Sequence, residues 1–287
     1  MILPSDPVEM GLDPREPRFW DPAASDCQFE ASYRLKIFKP FARAMFGLRP
    51  LGISVVVPVK DEGENIRMLA EEIYALVRSG GLADLSEVLF VDDNSGDDTY
   101  AQIKLSSARF PFVKGLRLNG EGGKGAAIKA GIREAKGDIL VTMDGDLQHS
   151  PMWIAGLVRP ILEDGLDLVV AARADGNYSP YRRALSRAFS WMFNALFGLG
   201  LTTPNEGLKA FRRDLVSNLE VSANGFDFDI EFLVKAKRAG LRIGEVPIAL
   251  RNRLHGSSKV RIIQVVPSFL CRMVRLWLDR GGRSASR

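Results

Sequence analysis

Asp144 and Asp146 stand two residues apart, directly after the apolar run Ile139-Leu140-Val141-Thr142-Met143, and Gln148 follows two residues later. Two carboxylates at that spacing suit a hard divalent cation. Mg²⁺ takes one or two carboxylates, fills its shell with waters and phosphate oxygens, and can use an amide oxygen such as that of Gln148. The competing reading is a capped turn, because Asp favours strand ends and helix starts. Two further acidic clusters also end β-branched runs: Pro58-Val59-Lys60-Asp61-Glu62 and Asp92-Asp93-Asn94-Ser95. Asp92 or Asp93 can accept a hydrogen bond from a base or ribose, whereas Ser95 to Asp98 reads as the cap of a following helix. Three acidic clusters on strand ends are harder to explain by capping than any one of them.

A fourth segment, Gly122-Gly123-Lys124-Gly125, resembles a phosphate loop only on the surface. A phosphate-binding loop of the G-x-x-x-x-G-K-[ST] type needs Ser or Thr after the lysine, and Gly125 stands there. No G-x-G-x-x-G fingerprint follows the first apolar run either, which disfavours P-loop NTPase, kinase and dehydrogenase chemistry. Lys124 is left with two readings, a ligand contact or a packed helix start. The chain has 2 histidines, His149 and His255, and no Ser–His or Cys–His pairing suggests a nucleophilic triad. Its 2 cysteines, Cys27 and Cys271, have no metal-type spacing, which fits a reducing compartment without disulfides.

These residues need elements to hold them. Short β-branched or apolar runs at 53–58, 87–91, 113–118, 138–143 and 167–172 read as strands. Between them, 64–79, 97–109 and 124–136 carry helical spacing, the first stopping at Gly80-Gly81. Strands alternating with helices predict an α/β fold with a mainly parallel, Rossmann-like sheet flanked by helices. Ligands of such sheets sit beyond the carboxyl ends of the strands, where the acidic clusters fall.

At 287 residues and 46% hydrophobic, the chain can bury a large core and is no disordered polypeptide. Its net charge of +4 is unevenly spread. Residues 1–30 hold two basic and seven acidic side chains, 31–50 five basic and none acidic, and 254–287 seven basic and one acidic. The body between is close to neutral, so an anionic partner is expected at the flanks. Residues 33–48 read as a basic helix interrupted by Pro40, and 260–280 as a basic amphipathic helix with Trp277, broken or kinked at Pro267. The latter suits an anionic membrane surface or, equally, packing on the protein's own core. The apolar segment 184–201 carries the same two readings, a guide for a lipid tail or ordinary core. No signal peptide is visible, and no apolar run reaches the ~20 residues of a membrane span. Nucleic-acid binding is disfavoured, since no aromatic–basic platform appears.

Taken together, P-V-K-D-E (58–62), V-D-D-N-S-G-D-D-T (91–99), G-K-G-A-A-I-K-A-G (123–131) and D-G-D-L-Q-H-S-P (144–151) resemble the family 2 glycosyltransferases. More narrowly they resemble the dolichyl- or polyprenyl-phosphate mannosyltransferases. E-G-L-K-A-F-R-R (206–213), F-D-F-D-I-E-F-L (226–233), E-V-P-I (245–248) and R-L-H-G-S-S-K (253–259) agree. The resemblance implies a GT-A fold and a nucleotide-sugar donor, GDP-mannose before UDP-glucose. Carried over by position, Pro58, Lys60, Glu62, Asp92 or Asp93, Lys124 and Asp144 would meet the donor. Asp144, Asp146 and Gln148 would hold Mg²⁺ or Mn²⁺ on its diphosphate, and Arg253 and Lys259 would lie on a loop closing over it. Arg173, Arg182 and Ser186 would bind the phosphate of a polyprenyl phosphate acceptor. Asp146, Arg173 and Arg253 would then be the catalytic residues of an inverting hexosyl transfer on the cytoplasmic face of a membrane, with the protein peripherally attached.

The chain departs from the family pattern at Lys60, where an aromatic is usual, at Asp61, where Asn is usual, and at Thr203 and Leu208. Three segments are expected: an N-terminal extension over 1–50, a glycosyltransferase domain over 51–259 and a basic amphipathic end over 260–287. Two other readings stay open. One is transfer from a UDP-sugar to a lipid or glycan hydroxyl, which requires a general base such as Asp229 or Glu231. The other is a non-catalytic membrane-bound scaffold.

Overall fold

The computed structural model describes residues 51–173, 180–251 and 262–279. The helix expected over 33–48, together with Arg253, Lys259 and the side chain of Arg182, lies outside that description.

Five strands form at the five runs expected of strands: β1 (Ile53–Val59), β2 (Leu85–Asp92), β3 (Val113–Arg117), β4 (Ile139–Thr142) and β5 (Leu168–Arg173). Two more, β6 (Lys209–Arg212) and β7 (Ile243–Ile248), complete a seven-stranded sheet of order β3-β2-β1-β4-β6-β5-β7. All pairings are parallel except those of β6, which runs antiparallel to β4 and β5. Such a strand begins where its parallel neighbours end, so the chain just before Lys209 arrives at their carboxyl ends. Thr142 on β4 pairs with Lys209 across that boundary.

Alternation along each strand divides the core in two. Val55, Val57 and Val59 face one cluster with Ile66, Leu69 and Ile73 of α1 (Gly63–Arg78), Ile103 of α2 (Thr99–Arg109) and Ile154, Leu157 and Ile161 of α4 (Trp153–Glu163). Val56 faces the other. There pack Ala127 and Ile128 of α3 (Lys124–Glu134), Phe193 of α5 (Pro180–Phe197), Phe228 and Phe232 of α7 (Phe228–Arg238), and Met273 of α8 (Ile262–Leu278). The short helix α6 (Arg213–Val216) caps β6. Burial on both faces explains why β1, β4 and most of β2 and β5 read as apolar runs, whereas the edge strands β3 and β7 are largely exposed or half-exposed.

Two helices differ from the sequence reading in instructive ways. Helix α4 is not among the helices it expects, although Ile154, Leu157, Val158 and Ile161 have helical spacing and are buried. Helix α8 runs unbroken through Pro267. That proline is the sixth residue of the helix, so one backbone hydrogen bond is lost near its start while packing of Phe269, Met273 and Leu276 on the core holds the rest. The start of α2 falls in the Ser95–Asp98 segment expected to cap it: Asp97 Oδ1 accepts from Thr99 N at 2.9 Å, while Ser95 Oγ accepts from Asp61 N at 2.8 Å.

Candidate active site

The ends of β4 and β5, the start of α3 and the approach to β6 meet around one cavity of about 1130 Å³. Its polar part is lined by Lys124, Asp144, Gln148, His149, Arg173, Glu206 and Asp229. Its apolar part is formed by α5 and α8, with Leu185, Phe189, Met192, Phe269 and Leu270, and by Phe226. Ser186 also lies on this wall, as expected of it.

Asp144 emerges from β4 against bare backbone. A Cβ at Gly207 would come within 2.5 Å of Asp144 Oδ2, so only glycine allows this approach. Leu147 has φ +61°, an unfavourable conformation for a leucine that costs about 1–2 kcal/mol, and its fully buried side chain holds it there. Its turn presents Gln148 to the cavity beside Asp144, while the half-buried Asp146 accepts from Gln148 N at 3.2 Å.

Lys124 Nζ lies 2.7 Å from Asp144 Oδ1 and 3.9 Å from Asp229 Oδ2. Burial opposes charge on Lys124, but the Asp144 and Asp229 carboxylates outweigh it and raise its pKa above the ordinary lysine value. The reverse holds at Asp144: burial pushes it up, and Lys124, His149 and Lys209 together bring it down to about 2. The backbone under Lys124 is fixed. Gly123 N donates to Asp93 Oδ1 at 2.7 Å, and Gly123 has φ +124° with Asn224 O 2.3 Å from where a Cβ would lie.

A second ionic cluster adjoins. Glu206 Oε1 is 2.8 Å from His149 Nε2 and its Oε2 is 2.7 Å from Arg173 Nε. Burial would raise Glu206, yet His149 and Arg173 hold it near 2; burial would lower His149, yet Glu206 raises it. Lys209, buried beneath, donates to Asp229 Oδ1 at 2.6 Å and to the Glu206 carbonyl. Thr203 donates to Ala171 O at 3.0 Å and accepts from Arg173 N at 3.3 Å, which fastens the end of β5 under Arg173.

The expected donor contacts fall at the β1–β2 end. Asp92 is fully buried, with Oδ1 on Ser95 N at 3.0 Å and Oδ2 3.2 Å from Arg117. Asp93 joins Gly123 and stands 3.5 Å from the exposed Lys60 Nζ. Glu62 accepts from Asn65 at 2.6 Å, and Pro58 is half-buried on β1. Of the candidate bases, Asp229 borders the cavity between two lysines. Glu231 does not; it is taken up by Ser222, Ala223, Lys235 and Arg272.

The donor set suits a divalent cation. Asp144, His149 and Glu206 each offer a ligand atom, all within 4.8 Å of one another, and Gln148 borders the same cavity. His149, Glu206 and Lys209 were not singled out as site residues from the sequence. An acid one residue before Gly207, at the start of a strand carrying a lysine in its apolar run, was the available sign.

Similarity to known proteins agrees with this geometry. The family described as Glycosyl transferase family 2 matches residues 54–220. A dolichol-phosphate mannosyltransferase of Pyrococcus furiosus is 31% identical over 216 residues, covering 73% of this chain and 59% of that protein. An undecaprenyl-phosphate 4-deoxy-4-formamido-L-arabinose transferase of Serratia proteamaculans is 30% identical over 216 residues, covering 75% of this chain and 64% of that protein. The chain thus spans about 60% of the length of these curated relatives. Among solved structures, glucosyl-3-phosphoglycerate synthase from Mycobacterium tuberculosis with Mn²⁺, UDP-glucose and phosphoglyceric acid aligns with TM-score 0.63 and 25% identity, over 86% of this chain and 83% of that one. The same enzyme with Mn²⁺ and UDP-glucose aligns with TM-score 0.62 and 26% identity, over 82% and 81%. The sheet and its helices have the GT-A fold of these neighbours.

Proposed function

The chain belongs to glycosyl transferase family 2, and from that premise we propose that it transfers a hexose, mannose by preference, from a nucleotide sugar to a polyprenyl phosphate at a membrane surface. The observation that carries this reading is the two-part cavity. Its floor is cationic and acidic, and α5 and α8 add Leu185, Phe189, Met192, Phe269 and Leu270 together with Arg183 and Arg187. That combination fits an amphiphile with an anionic head. The names of both curated relatives contain a polyprenyl phosphate, while their sugars differ, which supports the acceptor class more than the sugar.

In this reading Arg173, with Arg182 and Ser186, holds the acceptor phosphate. A phosphate oxygen is anionic at neutral pH, so it needs orientation and no strong base. It attacks C1 of the sugar as the bond from C1 to the diphosphate oxygen breaks on the opposite face, which inverts the anomeric centre. Lys124 faces the charge that develops on the leaving nucleoside diphosphate, and the resemblance assigns Arg253 and Lys259 to the same role. Asp144 and Gln148, which line the cavity, and Asp146 behind them in the same turn would hold Mg²⁺ or Mn²⁺, with His149 and Glu206 as further donors beside Asp144; the ion would supply further positive charge to that diphosphate. Pro58, Lys60, Glu62 and Asp93 border the nucleoside. The ion pairs that occupy Asp229 and Glu231 weigh against a hydroxyl acceptor, for which one of them would have to serve as base.

The test is a donor panel of GDP-mannose, UDP-glucose and other nucleotide sugars, incubated with Mn²⁺ and a polyprenyl phosphate. Mass spectrometry of the lipid extract is expected to find a lipid-linked hexose phosphate with at least one donor, and absence of lipid-linked product from every donor would reject the proposal.

A further inference from the structure

Asp144 Oδ1 is held at 2.7 Å by the Lys124 ammonium, so a divalent cation approaching that carboxylate meets a cation already there and is repelled in a site this sheltered. Lys124 has only 15% of its side chain exposed, and its backbone is pinned through Gly123 N to Asp93 and Ala126 N to Asn224 O. The movable part is therefore the four-carbon stem, which swings a compact ammonium. Within reach of that stem lies Asp229 Oδ2, 3.9 Å away, but Asp229 is already neutralised by Lys209 at 2.6 Å. Among the described residues, the carboxylate nearest to an ammonium displaced from Asp144 is thus Asp229, which Lys209 already shares.

We propose that Lys124 is an internal counter-cation that occupies Asp144 until a divalent cation takes its place, and that the released ammonium then pairs with the donor diphosphate. The exchange couples the two ligands. A metal arriving alone must strand Lys124, whereas a metal arriving with a diphosphate gives the lysine a new anion. By linkage, each ligand tightens the other. This inference rests on the donor-and-metal reading above and adds to it a function for Lys124 before the donor binds.

The experiment measures Mn²⁺ binding to the full chain, without nucleotide, from the electron paramagnetic resonance signal of free Mn²⁺. Four proteins are compared: wild type, Lys124→Met, Lys124→Arg and Asp144→Asn, with Lys124→Gln in place of the Met variant should that one fail to fold. Lys124→Met is expected to bind Mn²⁺ about tenfold more tightly than wild type, because the competing ion pair is gone. Lys124→Arg is expected to stay near wild type, and Asp144→Asn to lose the site. If wild type binds Mn²⁺ through Asp144 but the Met variant binds no more tightly, the counter-cation inference is overturned and the metal reading stands. If Asp144→Asn binds as wild type does, or if no protein binds, the metal reading itself falls and the inference with it.

Discussion

Arg173 meets Glu206 at 2.7 Å at the end of β5, and both line the cavity. An acceptor phosphate placed there would take over an arginine already oriented by its own backbone, since Arg173 N is held by Thr203. Arg173→Ala is expected to lower kcat/KM for the polyprenyl phosphate about 10²–10³-fold, the usual effect of removing one oriented donor, while the KM for the nucleotide sugar changes little. Steady-state kinetics with each substrate varied in turn would check this. At this scale the sequence was informative where chemistry follows from local spacing. Asp144 and Gln148 came from one turn, and Lys124 from its position behind two glycines. Glu206 and Lys209 were not singled out because their nearness to Asp144 depends on where a distant antiparallel strand begins. The Asp92 and Asp93 pair could not be divided from sequence; only the fold turns Asp92 inward to Ser95 and Arg117.

Strands β1, β2, β4 and β5 were legible because they are buried over most of both faces and their sequences must be largely apolar, whereas the edge strand β3 was legible only from Val113 and Leu116. Strand β6 was not, since its four residues Lys-Ala-Phe-Arg combine an apolar pair with charges. Neither was β7, an edge strand that is largely half-exposed and tolerates Pro247. The far end of the sheet carries its own ionic anchor. Glu87 on β2 is 1% exposed and accepts from Ser54 Oγ at 2.7 Å, Lys136 N at 2.6 Å and Lys114 Nζ at 2.5 Å. Burial pushes its pKa up, but these donors outweigh burial and hold it below the ordinary 4.5. A carboxylate depressed in the folded state binds fewer protons than in the unfolded state. Its stabilisation is therefore complete above about pH 4.5 and is lost as pH falls through the lowered folded value. Glu87→Gln is expected to cost about 1–3 kcal/mol near pH 7 and to flatten the loss of stability on acidification. Urea unfolding across pH 3–7, about the range where the two carboxyl states exchange, would measure both effects.

Over the whole molecule, charge and apolar surface are arranged together. Tyr181 and Trp191 on α5 are 76% and 74% exposed, and α8 exposes Val274, Trp277 and Leu278. Arginines 183, 187 and 275 are exposed on the same helices. Among the described residues no helix is long and apolar enough to cross a membrane. Exposed aromatics beside arginines are the pattern expected of a helix lying in an anionic lipid surface, and these two helices also wall the cavity. The protein is expected to co-sediment with vesicles containing anionic lipid, less so at high salt, and less again with the exposed Val274, Trp277 and Leu278 of α8 replaced by serine. Unchanged sedimentation of that variant would show that the exposed face of α8 is not the anchor. The central claim concerns the nucleophile, and two acceptors that differ only in it test that claim most directly. With donor, Mn²⁺ and lipid of one chain length, sugar transfer to polyprenyl phosphate is to be compared with transfer to the free polyprenol. The account predicts a phosphodiester-linked product from the phosphate, inverted at the anomeric carbon, and none from the alcohol. Equal transfer to both, or transfer to the alcohol alone, would contradict it.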